Sequence, residues 1–202
     1  LGMLKPGTGC VDAPRCFSLK LVGAVVGKLG AKALTYDEQL FVRHTAGGEL
    51  EFVATIHVDD IKVACPEPVY NEFVRVLEQV FGKGELDITH DNFTNCGTRH
   101  TKTAEGYELD QTEYLKALKP IQHAELTGKA ADQPATAAVR QLFHSLVMAI
   151  AYTLITRIGI CIYCVALQRV TTSPTNLHVR RLNALVRWAQ QNPLVLKYHR
   201  IK

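Results

Sequence analysis

The chain has 202 residues, of which 47% are hydrophobic and 21% are charged, with a formal net charge of +4. This composition is typical of one large or two small folded domains and excludes an intrinsically disordered chain. No basic and apolar leader follows Leu1, so we expect no signal peptide. His144 and Arg157 interrupt the longest apolar region, residues 142–167, so we expect two buried helices there and no membrane partner.

The six cysteines lack the spacing of a small disulfide-bonded domain, so we expect reduced thiols and an intracellular protein, either cytoplasmic or nuclear. Cys161 and Cys164 form a CxxC pair without a second such pair or a zinc-spaced histidine pair. We interpret them as two buried thiols on one face of a helix.

The first predicted element is a helix that begins after Asp12, a favoured N-cap, and has Pro14 in its first turn. Apolar residues then recur at helical spacing, and Gly30 is a typical helix stop. Gly23 and Gly27 lie one turn apart, which predicts the close approach of another backbone to this helix.

Apolar and β-branched residues next predict three strands, at 40–44, 52–58 and 61–65. Two prolines then open a predicted amphipathic helix over residues 66–82. This part of the chain is therefore expected to form an antiparallel sheet with packing helices.

The second half is predicted to change from strands to helices. Strands are expected at 93–102 and 107–109, followed by a short helix at 111–118 and a loop at 127–137. Everything after that loop is expected to be helical, with Ser173 capping the last helix. The whole order predicts an α+β fold with a separate all-helical tail.

Two adjacent carboxylates, Asp59 and Asp60, stand between the second and third predicted strands, at the tip of a tight hairpin. Paired acids beside buried strands are costly unless a cation neutralises them. A magnesium site for phosphoryl or nucleotidyl transfer is one interpretation. The other is an ordinary turn, in which aspartate is a favoured residue.

Charge is unevenly divided along the chain. Residues 133–202 contain nine Lys and Arg side chains and no acid, whereas residues 1–132 carry a net charge of −5. On the last predicted helix Arg180, Asn183 and Arg187 share a face that Arg181 and His178 widen. Such a face either contacts a nucleic-acid backbone or is a solvated surface that balances the acidic half.

Three motifs occur in order along the chain: Asp12-Ala-Pro-Arg15, His57-Val-Asp-Asp60 and Glu108-Leu-Asp-Gln-Thr-Glu-Tyr-Leu115. The segments 145–157 and 174–178 follow them. Together they resemble copia-type LTR-retrotransposon reverse transcriptases, in which a palm helix, a Tyr-Val-Asp-Asp hairpin and the start of the thumb come in this order. The resemblance covers nearly the whole chain and depends on the order of the motifs.

The resemblance implies an RNA- and DNA-directed DNA polymerase that uses two magnesium ions, a template–primer duplex and a dNTP. It implies a palm portion with an antiparallel palm-type sheet in residues 1–104 and a helical thumb or connection segment in residues 105–202. Asp59 and Asp60 would be the catalytic metal ligands of this chain. The residues implied to position template and nucleotide are Gly9, Asp12, Pro14, Arg15 and His57, and those implied to hold the nucleic-acid backbone are Arg180, Arg181 and Arg187.

The chain departs from the family in several places. The family's other palm aspartate lies on an earlier strand, and no residue of this sequence matches it. The resemblance therefore implies that the chain alone is inactive and acts with the remainder of a polyprotein or in a larger assembly. His57 also replaces the family's tyrosine, and Thr8 stands where the loop usually has tyrosine.

Two other functions stay open. A relic or co-opted fragment would bind nucleic acid or a protein partner without catalysis. An unrelated metal-dependent phosphotransferase would share only the acidic hairpin and would need further carboxylates, for which Asp87, Asp91 and Asp110 are the candidates.

Overall fold

The computed structural model describes residues 13–127 and 130–200 and divides the chain into two units, Leu1–Ile88 and Thr89–Lys202. Each unit contains one four-stranded antiparallel sheet, and the C-terminal region is mostly helical. The α+β prediction is therefore confirmed. The predicted division at residues 104 and 105 stays a prediction about the palm and thumb portions.

The first unit begins with helix α1, Ala13–Val22, which continues as a π-helical segment, Gly23–Lys28. Leu21 and Val25 are buried, as the helical spacing predicts, and Gly30 ends the element with a φ of 76°. No described backbone makes the close approach that Gly23 and Gly27 would allow. A Cβ built at either glycine meets no atom of residues 13–127 and 130–200 within 4 Å, so no backbone in these ranges requires a glycine there.

The sheet of the first unit has the order β1-β2-β3-β4. Its strands are Lys32–Ala33, Leu40–His44, Leu50–His57 and Asp60–Ala64. Helix α2, Glu67–Phe81, follows and ends at Gly82, as predicted. One face of the sheet packs against the helices, and its buried residues are Phe41, Phe52, Ala54 and Ile56. The strands predicted at 40–44, 52–58 and 61–65 are confirmed to within two residues at each end.

Arg43 connects the sheet to the helices of the first unit. Its guanidinium donates to the Glu72 carboxylate at 3.0 Å and to the Leu29 carbonyl at 2.9 Å. Its Nε also lies 2.8 Å from a Glu51 carboxylate oxygen, without the angle of a hydrogen bond. One cation therefore joins β2 and β3 to α2 and to the end of the first helical element.

The sheet of the second unit has the order β5-β6-β7-β8, with strands Asn92–Asn95, Thr98–Lys102, Gly106–Asp110 and Val195–His199. The single strand predicted at 93–102 is wrong, because a two-residue turn divides it. Cys96 and Gly97 both have positive φ in that turn, at 48° and 67°, which is the backbone twist that tight hairpins prefer. The turn predicted at 103–106 is confirmed by hydrogen bonds between Thr103 and Gly106.

Strand β8 corrects the prediction that the tail is wholly helical. Its residues pair with β7 from Gly106↔His199 to Asp110↔Val195. Gly106 has a φ of 154°, and a Cβ there would overlap the Tyr198 carbonyl oxygen. The pairing therefore depends on Gly106, which precedes the first residue of β8 by 89 positions. Sequence patterns near β8 do not reveal this partner.

The helices of the second unit are α3, Thr112–Ala117, α4, Ala137–Tyr152, α5, Cys161–Gln168, and α6, Asn176–Gln191. Short 3₁₀ turns at Ala124–Leu126, Thr153–Ile155 and Ile158–Ile160 connect them. The helices surround a core that includes Phe143, Val147, Ile150, Leu182 and Val186.

The predicted cap of the last helix is wrong. Thr175 is the N-cap of α6, and its backbone N–H donates to His178 Nδ1 at 3.0 Å. Pro174 lies before the helix, and its carbonyl accepts a hydrogen bond from the Ala135 N–H at 2.8 Å. An isolated β-bridge between Pro134 and Thr175 lies beside it. This pairing holds Pro174 in an extended segment.

The expectation of two buried helices at 142–167 is only partly met, because each helix has one buried face and one exposed face. Cys164 is buried, and burial raises the pKa of its thiol to about 11, but Cys161 is only partly covered. Several large apolar side chains of α4, α5 and the turns between them are exposed: Leu142, Met148, Ile155, Ile158, Ile162, Tyr163 and Val165. Among the described residues one segment, Ala137–Ile155, is long and apolar enough to cross a membrane, a test that core helices of soluble proteins also pass.

Candidate functional site

The acidic hairpin is a two-residue turn between β3 and β4. His57 pairs with Asp60 as the last rung of the ladder, so Val58 and Asp59 form the turn itself. Asp60 is thus the first residue of β4, whereas Asp59 projects from the tip. The sequence predicted both acids in the turn, and the structure moves the turn by one residue.

Val58 is strained in this turn. Its φ is 58°, in the left-handed region that a β-branched side chain rarely adopts. The side chain is 64% exposed, so burial of the valine does not compensate the strain. Non-glycine residues in this region persist where the surrounding structure holds them, and they are frequent at functional sites. Here the hydrogen-bonded strands β3 and β4, which flank the turn, hold Val58 in this conformation.

The two carboxylates are accessible. His57, Asp59 and Asp60 are all exposed. Within residues 13–127 and 130–200, the Asp59 carboxylate makes no hydrogen bond or ion pair with another side chain. It therefore retains its full capacity to bind a cation or a donor from outside the unit. The same described ranges contain no group of three His, Cys, Asp or Glu side chains that could hold a metal, so the hairpin supplies an incomplete ligand set.

Strand alternation places His57 and Asp60 on the sheet face opposite the core. Ile56 pairs with Ile61 and points to the helices, whereas Thr55 pairs with Lys62 on the same face as His57 and Asp60. This second face therefore carries an acid, a histidine and a lysine beside the turn. Polar groups of both charge signs at the end of an exposed sheet face could contact a charged ligand.

The other residues implied by the resemblance are only partly described. Pro14 and Arg15 are exposed in the first turn of α1, and no hydrogen bond or ion pair between described residues joins them to the hairpin. Gly9 and Asp12 lie outside the described residues.

The further carboxylates considered for a phosphotransferase do not gather at the hairpin. Asp91 forms an ion pair with Lys102 at 2.8 Å, and Asp110 accepts a hydrogen bond from the Thr112 N–H at 2.9 Å. Both lie in the second unit and have structural roles there. Asp87 is exposed in the loop after α2, but it belongs to no group of potential metal ligands in the described chain.

The basic helix face is only partly as predicted. Arg180, Arg181 and Arg187 are exposed on α6. Asn183 is 6% exposed and points inward, because its amide accepts from the Ile121 N–H at 2.7 Å and donates to the Ile121 carbonyl at 2.9 Å. His178 closes the N-terminal cap of the helix. The prediction that Asn183 belongs to an open surface is wrong, whereas His178 is half-buried and the three arginines lie on the exposed side of α6.

A surface concavity of about 540 Å³ adjoins this helix. The loop 121–127 lines it together with Arg180 and Asn183. Since Asn183 anchors that loop, its amide shapes the wall of the concavity, which Arg180 also lines.

Sequence reasoning missed Trp188. It is the chain's one tryptophan, it lies on α6 next to Arg187, and it is 51% exposed. An aromatic residue seven positions after Arg181, within a segment free of acids, is the signal that could have identified it.

Comparisons with known proteins add no assignment. No protein-family model matches the chain, and neither a curated protein nor a solved structure matches it. The interpretation of the hairpin and of α6 therefore depends on their own geometry and on the sequence motifs.

Proposed function

We propose that the chain is the palm and connection portion of a copia-type retrotransposon reverse transcriptase, an RNA- and DNA-directed DNA polymerase. The observation that carries the proposal is the His57–Asp60 hairpin, which presents two exposed carboxylates at the end of a paired ladder. It occurs in the motif order of that family. In this proposal the finer fold is a palm-type sheet in the first unit, followed by a thumb or connection segment.

In the proposed enzyme Asp59 and Asp60 hold magnesium at the hairpin tip. Carboxylate oxygens are the ligands that magnesium prefers, and a metal held there would stabilise the charge that develops when a primer hydroxyl displaces pyrophosphate from a dNTP. The role of the protein would be to orient the carboxylates of Asp59 and Asp60. The ladder from Val53↔Ala64 to His57↔Asp60 does this with backbone hydrogen bonds on both sides of the turn.

The outer edge of β4 would allow a further strand to complete the metal site at the hairpin. Strand β4 has β3 as its neighbour in the described sheet and ends the strand order, so its outer edge is available for pairing. An added strand beside β4 would lie next to Asp60 and could bring a further carboxylate to the hairpin. This arrangement agrees with the proposal that the chain alone lacks polymerase activity.

The exposed arginines of α6 support a nucleic-acid surface in the second unit. Residues 133–202 contain no acid, so phosphate groups near Arg180, Arg181 and Arg187 meet no carboxylate of that segment. In the proposal these arginines bind the backbone of the template–primer duplex, which positions the nucleic acid without reading its sequence. Arg180→Ala and Arg187→Ala should then weaken salt-dependent duplex binding.

A second candidate function is a non-catalytic relic or co-opted binding module. It is favoured by one observation, which is that the described residues offer no third ligand near Asp59 and Asp60. In that case α6 would still bind nucleic acid or a protein partner, and the hairpin would be a turn without a bound metal.

Metal titration of the chain itself distinguishes these proposals. Manganese, a paramagnetic substitute for magnesium, should broaden the backbone NMR signals of Val58, Asp59 and Asp60 at low concentration, and excess magnesium should reverse the effect. Asp59→Asn should remove most of the broadening. The matched control is Asp87→Asn, which removes an exposed acid elsewhere in the same unit. Equal broadening in wild type and Asp59→Asn would contradict a metal role for the hairpin.

A further inference from the structure

We propose that α6 binds an unpaired stretch of RNA or DNA, and that Trp188 stacks on one of its bases. This inference rests on the nucleic-acid role proposed above for the arginines of the same helix. It adds an unpaired stretch of nucleic acid to the duplex that the arginines are proposed to bind, and it adds a contact to a base to the contacts with the backbone.

The exposed face of α6 has three parallel rows. With about 100° per residue, Arg180 and Arg187 form one row, and Arg181 and Trp188 form another about 90–100° around the helix. Between the two rows lies a third, formed by Leu177, Ala184 and Gln191, and all three of its side chains are exposed. The opposite side of the helix is buried, with Val179, Leu182, Val186 and Ala189 in the core. The rows therefore form one continuous outward surface.

The middle row leaves space beside the indole ring. Ala184 is one turn before Trp188 and ends at its Cβ, so on that side of the ring no long side chain of the middle row stands beside Trp188, whereas Gln191 lies one turn after it. Trp188 itself is 51% exposed, which leaves a large part of its ring accessible while the rest is covered by the protein. A flat base therefore has space against the ring on the side of Ala184.

The charges beside Trp188 fit a polynucleotide. Arg181 lies about 10.5 Å along the helix axis from Trp188, and Arg187 is its immediate neighbour. Across the described ranges neither of these two arginines forms an ion pair with a carboxylate. Their positive charge is thus available to phosphates on both sides of a stacked base. This combination of a basic surface and an aromatic platform is how single strands are bound without sequence preference.

An unpaired base is required because the bases of a duplex are already stacked on their neighbours. A duplex can still contact the arginines through its phosphates, but its bases cannot lie flat on Trp188 without opening. The alternative occupant of an exposed Trp and Arg surface is a protein partner, for which these residues are frequent anchors. A large apolar patch would favour a protein, whereas the exposed side chains on this face of α6 are three arginines and Gln191 beside Leu177 and Ala184.

The chain's one tryptophan makes the test direct, because fluorescence excited at the red edge of the absorption band, where tyrosine does not absorb, reports on Trp188 alone. Titration of the full chain with a short single-stranded oligonucleotide should quench this fluorescence to saturation. A hairpin duplex of the same base composition should quench it much less. Quenching should weaken with added salt in the wild type and should require higher oligonucleotide concentrations in Arg181→Ala.

Binding of a labelled oligonucleotide, followed by its anisotropy, then tests the stacking contact. Trp188→Leu should weaken single-strand binding about tenfold, while duplex binding changes less than about twofold. Trp188→Phe should restore part of the loss, because phenylalanine keeps a stacking ring. The matched control is Tyr163→Leu, which removes an exposed aromatic ring from α5 and should leave both affinities unchanged.

Each outcome decides between the proposals. Equal single-strand affinity of Trp188→Leu and wild type would overturn the stacking contact, and duplex binding that still depends on the arginines would leave the proposed function intact. Absence of binding to every polynucleotide would overturn both the stacking contact and the nucleic-acid role of α6, in favour of a protein partner.

Discussion

The side chain of Asn183 binds both backbone groups of Ile121, a residue 62 positions earlier in the chain. The two hydrogen bonds measure 2.7 and 2.9 Å and are buried. They attach the loop after α3 to the inner side of α6. The residue that the sequence placed on an open surface is therefore a structural anchor beneath it.

Replacing Asn183 with alanine should lower the free energy of unfolding by about 2–4 kcal/mol, because it leaves a buried N–H and a buried carbonyl without partners. Urea denaturation followed by Trp188 fluorescence measures this change, since the indole lies on the same helix. The control is Asn192→Ala, whose exposed side chain donates to the Trp188 carbonyl at 2.7 Å, and it should cost less than about 1 kcal/mol. Equal effects of the two substitutions would contradict the anchoring role of Asn183.

Val58→Gly should stabilise the first unit or leave its stability unchanged. Relief of the positive φ is favourable by about 1–2 kcal/mol, and the greater freedom of glycine in the unfolded chain costs about 0.5–1 kcal/mol. Thermal unfolding of the variant measures the net effect. Val58→Ala is the control, because alanine keeps the Cβ that causes the strain and should not stabilise. A Val58→Gly protein less stable than Val58→Ala would show that the turn is not strained.

One buried and one half-buried arginine, Arg157 and Arg43, should respond in opposite ways to replacement by methionine. Arg157 is 4% exposed, its Nε has no hydrogen-bond partner, and burial lowers its pKa. No described carboxylate pairs with it, so Arg157→Met should be neutral or stabilising by about 1–2 kcal/mol. Arg43 pairs with Glu51 and Glu72, so Arg43→Met should destabilise by about 2–3 kcal/mol.

Urea midpoints of the two arginine variants decide this prediction. The sign of the difference is the informative result, since both substitutions remove one charge and keep most of the side-chain volume. Strong destabilisation by Arg157→Met would indicate that Arg157 has a partner outside the described residues.

The sequence predicts the first unit well because its signals are local. Strands β2 to β4 alternate apolar and polar residues, and α2 has apolar residues at helical spacing between two prolines and Gly82. The position of Val58 in the turn was missed, because the adjacent aspartates are the more typical turn residues.

The errors in the second unit arise from contacts between distant residues. Strand β8 depends on β7 and Gly106, and the inward position of Asn183 depends on Ile121. Neither partner is near in sequence, so a helical tail and a polar helix face were the expected patterns. The exposed apolar side chains of α4 and α5 were missed for the opposite reason, since apolar composition alone does not distinguish a buried face from an uncovered one.

The central claim is that Asp59 and Asp60 are polymerase metal ligands, and primer extension measures it most directly. The assay uses the longest natural product that contains this chain, with a primed RNA template, dNTPs and magnesium. We predict extension by the wild type, a loss of at least about a thousandfold in Asp59→Asn, and normal extension in Asp87→Asn. Extension by Asp59→Asn at the wild-type rate, or no extension by any of the three proteins, would contradict the polymerase role of this hairpin.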